Sequence, residues 1–336
     1  MNGSYTHNGY EESIRLGVQA ARSFRNGVVW APEDALEGIA ALKKALDDAE
    51  AVVIGAGAGM STAAGFLYTG ERFERYFGDL SARFGYTDMY SGGFCSYPSD
   101  AMRWAFWSRY VWINRYNRPQ KRTYDDLFAL VKDKNYFVIT TNVDHQFQQA
   151  GFDKERLFYT QGDYGLWQCS LPCHDKVYDN KEQVRAMVLA QGFSIAEDGQ
   201  LLPPLQPDRK TDFSKLSMEV PEELVPHCPV CGRPMAMNLR SDDTFVEPQG
   251  WHDASARYSD FLRKWSGRKI VFLEIGIGGN TPVIVKYPFW GMTLHNAAAV
   301  YACLNYDQAF APKEIAQQSI LVAGDTHEVL QELKKL

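Results

Sequence analysis

Five short apolar runs in this chain each end in a polar or glycine-rich turn. Ala51-Val-Val-Ile54 runs into Gly55, and Tyr136-Phe-Val-Ile-Thr140 into Thr141-Asn142-Val143-Asp144. Ile270-Val-Phe-Leu273 leads to Gly276-Ile-Gly-Gly-Asn280, Val300 to Leu304 ends at Asn305, and Ile320 to Ala323 ends at Gly324-Asp325. The apolarity is continuous, not alternating, so both faces of each strand are covered, as in a parallel sheet flanked by helices. Between the runs lie helical patterns. Leu36, Ile39, Leu42 and Leu46 recur at helical spacing within Pro32–Asp48, and Thr326 to Lys335 reads as a last helix. The expected fold is α/β: a Rossmann-like, doubly wound parallel sheet with a small zinc-binding module inserted. Such sheets bind ligands beyond the carboxyl ends of their strands, the edge that all five turns would share.

Two regions break the alternation. Residues 66–118 are rich in arginine and aromatics, including Trp104, Phe106 and Trp112, and read as a helical layer packed on the sheet. Residues 166–245 carry four cysteines and little periodicity, and read as an inserted, zinc-ribbon-like module. The Rossmann-like domain then comprises 31–165 and 246–336, behind a weakly structured or helical extension at 1–30. The chain of 336 residues has a net charge of −6, which disfavours nucleic acid as a partner. No apolar stretch of about 18 residues suggests a membrane span. The first residues lack the basic and apolar regions of a secretory leader, so a cytoplasmic location is expected, where thiols stay reduced.

Gly55-Ala56-Gly57-Ala58-Gly59 sits between a strand and a helix. Glycines there allow positive φ and let a phosphate approach backbone N–H groups at a helix start. This points to nucleotide binding, although a tight turn alone needs the same residues. A hydride-transferring Rossmann enzyme carries an acidic strand end about 20 residues later. Here Phe73 to Asp79 occupies that place and does not read as a strand end, which disfavours hydride transfer despite Glu74 and Asp79.

Cys169-x3-Cys173 and Cys228-x2-Cys231 are two pairs, with Gly232 easing the backbone around the second. Four thiolates in this pattern describe a closed structural zinc site, with His174 and His227 as alternative ligands. Cys95 and Cys303 read as buried packing residues.

Gly57 to Gly65 ("GAGMSTAAG"), Thr140 to Asp144 ("TTNVD"), the cysteine pairs, Asn305 and "GDTHEVLQEL" together resemble the sirtuins, over residues 34–336 and in family order. That family couples NAD cleavage to acyl-lysine removal or ADP-ribose transfer. Deacylating members follow the Asn-containing turn with a His-Gly pair whose histidine takes a proton from the NAD ribose. Nineteen residues after Asn142, this chain has Gln161-Gly162. The family's Ile-Pro-Asp-Phe-Arg segment is also absent, and Phe66-Leu67-Tyr68-Thr69-Gly70 stands in its place. These two features, with Leu273 to Phe289 ("LEIGIGGNTPVIVKYPF"), are similar to the macrodomain-linked, class M sirtuins, which are protein ADP-ribosyltransferases.

The resemblance implies NAD as co-substrate and Asn142, Asp144 and Gln161 as catalytic residues. Asn142 would orient the ribose or acceptor at C1′, Asp144 would hold the nicotinamide amide, and Gln161 would orient ribose hydroxyls. Cofactor contacts are implied for Gly55 to Gly59, Ser61, Gly65, Tyr68, Thr141, Gly276, Gly278, Asn280, Asn305 and Asp325. It also implies a lipoyl-carrier acceptor like the glycine-cleavage H protein, and a macrodomain hydrolase that removes the mark. The Asn-x-Asp turn equally suits capping the next helix. His145, placed on that helix, and Glu247 are further candidates for a base and a carboxylate. A deacylase with a recruited base, an NAD glycohydrolase and an NAD-sensing module are the rival functions.

Overall fold

The structure is a computed structural model that describes residues 9–279 and 282–336. Asn280, expected at the cofactor, lies outside the described residues. The chain folds as two compact units. The first takes the described residues up to Ala64 with Lys121–Gln161 and Glu247–Leu336, and the second takes Gly65–Gln120 with Gly162–Val246.

The first unit is built on six parallel strands: β1 (Ala51–Ala56), β2 (Tyr136–Thr140), β3 (Leu157–Tyr159), β4 (Ile270–Ile275), β5 (Val300–Asn305) and β6 (Ser319–Ala323). Their order is β3-β2-β1-β4-β5-β6, the arrangement of a doubly wound dinucleotide-binding sheet. Every residue of β1, β2 and β4 is buried, including Thr140 and Glu274 in otherwise apolar runs. Register sets the edge. Ala56 lies opposite both Thr140 and Ile275, so the turns after β1, β2 and β4 emerge side by side. The order reverses between β1 and β4, which makes their carboxyl ends the switch point. The short β3 had no clear sequence signal.

Around this sheet lie the helices α1 (Gly9–Ser23), α2 (Ala35–Asp48), α3 (Ala58–Ala63), α4 (Thr123–Val131), α5 (Gln249–Trp265), α6 (Lys286–Leu294) and α7 (Thr326–Lys335), with a single turn at Gln146–Gln149. Asp34 caps α2 by accepting Leu36 N at 2.8 Å, and the helix buries Ile39, Leu42 and Leu46. Helix α1 docks closely. A Cβ on Gly17 would stand 2.3 Å from the Val283 carbonyl oxygen, so only glycine permits this approach. Val28–Trp30 continues the attachment by pairing antiparallel with Phe310–Pro312.

In the second unit, Asp100–Val111 packs against Lys181–Ala190, so the aromatic helices group with the cysteine-bearing segment. The cause is polar as well as apolar. Buried Arg109 makes a two-pronged ion pair with Asp79 and also reaches Gln191 and the Ser217 carbonyl. Asp79 is therefore a structural anchor within the helix Gly70–Phe84, not an acidic strand end.

Glu274 is fully buried in the middle of the first unit's sheet. Lys286 Nζ lies 2.7 Å from its carboxylate, and the Tyr301 hydroxyl donates to it at 2.5 Å. Burial pushes the Tyr301 phenol and the neighbouring Cys303 thiol well up, so both stay protonated. Lys286→Met would strand the carboxylate and is expected to cost about 3–5 kcal/mol in urea unfolding. Adding Glu274→Leu should return most of that loss. A single variant as stable as wild type would contradict the buried pair.

Candidate active site

The turn after β1 is shaped by contact, not by unusual dihedrals. Gly55, Gly57 and Gly59 are all outside the positive-φ region, contrary to the sequence expectation; Gly57 has φ −127°. Their missing side chains supply space. A Cβ on Gly55 would come within 2.2 Å of the Val285 side chain, on the approach to α6. Gly59 and Gly276 meet backbone to backbone, and a Cβ on either would fall 2.6–2.7 Å from the other's Cα. Gly276 also has φ +62°, which glycine tolerates best. Gly57 N donates to the Ile275 carbonyl and Gly59 N to that of Gly276, both at 3.0 Å. Exposed Ala58 is the residue of this turn whose N–H has no acceptor among the described residues.

The interlocked turns position a polar cluster. Thr140 closes the gap between β1 and β2 by donating its hydroxyl to the Ala56 carbonyl at 2.9 Å, and it also accepts Asn142 N. Thr141 N donates to the same Ala56 carbonyl at 3.1 Å. Asn142 Nδ2 then donates to the Gly57 carbonyl at 2.9 Å and to the Tyr124 hydroxyl at 3.3 Å. With its nitrogen committed, Asn142 Oδ1 meets no donor among the described residues. Asp144 is buried, and Oδ2 accepts the Ser61 hydroxyl at 2.5 Å while Oδ1 accepts Gln146 N. Ser61 Oγ also lies 2.9 Å from Tyr124 Oη. Burial, then the Asp144 charge, pushes the Tyr124 phenol well up, so it remains a neutral hydroxyl.

Tyr124 is the member that sequence reading missed. It lies in the first turn of α4 beside Thr123, Asp125 and Asp126, and no local motif marks it. His145 is not helical: it takes φ +63° immediately before Gln146–Gln149.

Gln161 follows β3 at the same edge. Its Nε2 reaches Thr160 Oγ1 at 3.4 Å, and Thr160 is tied by N and Oγ1 to the Thr140 carbonyl. One strand end therefore separates it from the Asn142 cluster. Glu247 and His252 form a pair at 3.7 Å, while Trp251 donates to the Thr160 carbonyl. Asn305 bonds the Ile277 carbonyl and Gln308 N, bracing the turns after β4 and β5. Gly278 is exposed with open space around it. Asp325 caps α7 by accepting His327 N and Glu328 N. Gly65 and Tyr68 belong to the second unit. There Gly65 has φ +100°, and the Tyr68 hydroxyl pairs with that of Tyr164 at 3.0 Å.

The second unit gathers Cys169, Cys173, Cys228 and Cys231, their sulfurs all within 4.8 Å of one another. Zinc–sulfur bonds of about 2.3 Å in a tetrahedron put sulfurs about 3.8 Å apart. Here Cys169 and Cys231 are 3.6 Å apart and Cys173 and Cys228 3.7 Å, too far for disulfides and right for zinc. Gly232 turns with φ +72°, as the sequence expected. His174 stays outside, 3.9 Å from Cys228 and bonded to Tyr178. Cys95 is half-buried, not buried, whereas Cys303 is buried as expected. With four protein ligands, the metal would be structural. Elemental analysis should find about one zinc per chain, and a strong chelator should abolish cooperative unfolding of this unit. Metal-free protein with an unchanged melting profile would contradict this.

No protein-family model matches the sequence. Two examples stand for the solved structures that resemble the fold. One is a Sir2 homologue in complex with NAD, at TM-score 0.51 and 14% identity, over 94% of this chain and 98% of the other. The second is a mutant Sir2 homologue with ADP-ribose, also at 0.51 and 14%, over 88% and 96%. A protein ADP-ribosyltransferase of Staphylococcus aureus is 37% identical over 285 residues, covering 84% of this chain and 83% of that one. A probable bifunctional ADP-ribose hydrolase/ADP-ribosyltransferase of Fusarium oxysporum f. sp. cubense is 30% identical over 253 residues; the match spans 72% of this chain and 38% of that protein. Identity of this extent establishes that the chain belongs to the same family as the Staphylococcus aureus protein ADP-ribosyltransferase, and it carries the fold of the Sir2 proteins.

Proposed function

We propose that the protein cleaves NAD at the nicotinamide bond and transfers ADP-ribose to an acceptor protein, with Asn142, Asp144 and Gln161 acting on the nicotinamide-side ribose. The observation that carries this reading is Gln161, a residue unable to exchange protons, at the strand end where deacylating sirtuins keep a histidine. Deacylation needs a base for the ribose 2′-hydroxyl, and a placed base is worth about 10²–10⁴ in rate. Breaking the nicotinamide bond needs no proton from that hydroxyl. The C1′–nitrogen bond breaks with its electron pair leaving on neutral nicotinamide. The acceptor's nucleophile bonds C1′ and releases its proton to water.

The residues suit that division of labour. Asn142 has its nitrogen tethered to Gly57 and offers its amide oxygen to a ribose hydroxyl or to the developing positive charge. Asp144 is held by Ser61 and Gln146, which fixes the carboxylate that would receive the nicotinamide amide. Gln161 can orient ribose hydroxyls with either end of its amide. The turns bearing Gly57, Ala58, Gly276 and Asn305 are assigned to the rest of the dinucleotide, with Ala58 N–H as a phosphate donor.

The acceptor we propose is a lipoyl-carrier protein like the glycine-cleavage H protein, on the class M likeness of Phe66 to Gly70, Gln161 and Leu273 to Phe289. A partner hydrolase that removes the mark is supported by the Fusarium relative, whose name joins ADP-ribose hydrolase to ADP-ribosyltransferase.

Labelled NAD added with the protein to lysate of the source organism should mark a discrete acceptor band. Asn142→Ala should lower that labelling by about 10²-fold. Labelling that survives Asn142→Ala would remove the assigned chemistry, and nicotinamide release with no labelled acceptor would favour a glycohydrolase.

A further inference from the structure

The second unit treats its buried and half-buried arginines unequally. Arg109 is paired with Asp79, and Arg115 lies 2.6 Å from Asp163. Arg72, also largely enclosed, has no carboxylate partner among the described residues. Its guanidinium donates to the carbonyls of Leu67 and Ile113 at 2.8 Å and to Asn114 Oδ1 at 2.9 Å, all neutral acceptors. Even a half-buried charge loses hydration, and a counterion supplied by a ligand would offset that loss. Burial accordingly depresses the guanidinium below its ordinary value, against the pull of nearby tyrosines.

Arg72 also opens onto a cavity of about 170 Å³, which it shares with Arg75 and Arg118. Arg72 and Arg75 sit three residues apart in the first turns of the helix Gly70–Phe84, so they share a face. Arg75 and Arg118 make no ion pair among the described residues. Glu71 is the one carboxylate in the lining, against three arginines, and Asn117 and Gln120 add amides. A positive excess here is not the background of the molecule, whose net charge is −6. An engineered cavity of about 150 Å³ holds benzene, so this one admits a single charged head group. Guanidinium forks match phosphate and carboxylate oxygens.

We infer that this arginine-lined cavity is an oxyanion site, which receives a phosphate or carboxylate group of a ligand. The charge belongs to an acidic group on the second substrate, since the dinucleotide's phosphates are assigned to the first unit's turns.

Calorimetric titration of the full-length, zinc-loaded protein with inorganic phosphate, at ionic strength held constant with chloride, tests this. Wild type should show saturable binding in the millimolar range. Exchange of the exposed pair, Arg75→Gln with Arg118→Gln, should weaken it by about tenfold or more while the melting temperature holds. Arg72→Lys, which keeps the charge but loses the fork, should weaken it too. Repeating the titration with NAD present checks the assignment to the second substrate. If NAD abolishes the phosphate signal, that assignment fails. If phosphate still binds beside NAD and NAD affinity is unchanged, the site serves the second substrate. No binding by wild type, or equal binding by the double variant, overturns the inference. The titration reads no transfer activity, so its failure is distinct from failure of the transferase assignment.

Discussion

The first unit depends on two glycines that touch without side chains between them. Gly59 and Gly276 bring the turns after β1 and β4 into backbone contact at the point where the strand order reverses. That contact sets the start of α3 and therefore the position of Ser61. It also presents the Gly57 carbonyl to Asn142, which arrives from β2. A methyl group at either glycine would wedge the turns apart by roughly an ångström, because real Cβ contacts rarely fall below about 3.4 Å, and hydrogen bonds of 2.5–3.0 Å do not survive such shifts. The glycines serve interlocking before they serve any ligand.

What this frame holds is a set of neutral or acidic groups. Tyr124 and Ser61 are hydroxyls, Asn142 and Gln161 amides, and Asp144 a carboxylate that accepts from Ser61 and Gln146. On the proposed function, such a site would orient ribose hydroxyls and steady positive charge at C1′. It is poorly equipped to remove a proton from a ribose hydroxyl. Positioning and electrostatics serve bond cleavage, whereas collapse of an acyl intermediate needs a base. The buried Glu274–Lys286 pair contributes by a different route, fixing α6 to the sheet that carries these turns.

Much of this was legible in the sequence because continuous apolar strands can form few other sheets. The ends of β2 and α7 fell where the residues indicated, and the four cysteines converged as their spacing implied. Other features needed three dimensions. The glycines of the first turn carry no positive φ; their role is steric and depends on which strand lies next to β1. Tyr124 looks like any core tyrosine until α4 brings it to Ser61 and Asp144. Asp79 resembled a possible ribose acid, but its partner Arg109 is thirty residues away and only the packed helices bring the two together. The grouping of residues 65–120 with the cysteine-bearing segment likewise follows from long-range contacts that local periodicity does not encode.

The central claim is that nicotinamide leaves from this site without a base to complete deacylation. Its most direct measurement follows two products at once: exchange of labelled nicotinamide into NAD, and acetyl-ADP-ribose formed from an acetyl-lysine peptide. The account predicts readily measured exchange, with peptide or a carrier-protein acceptor present, and deacylation slower by about 10² or more. Deacylation that keeps pace with nicotinamide exchange would contradict it.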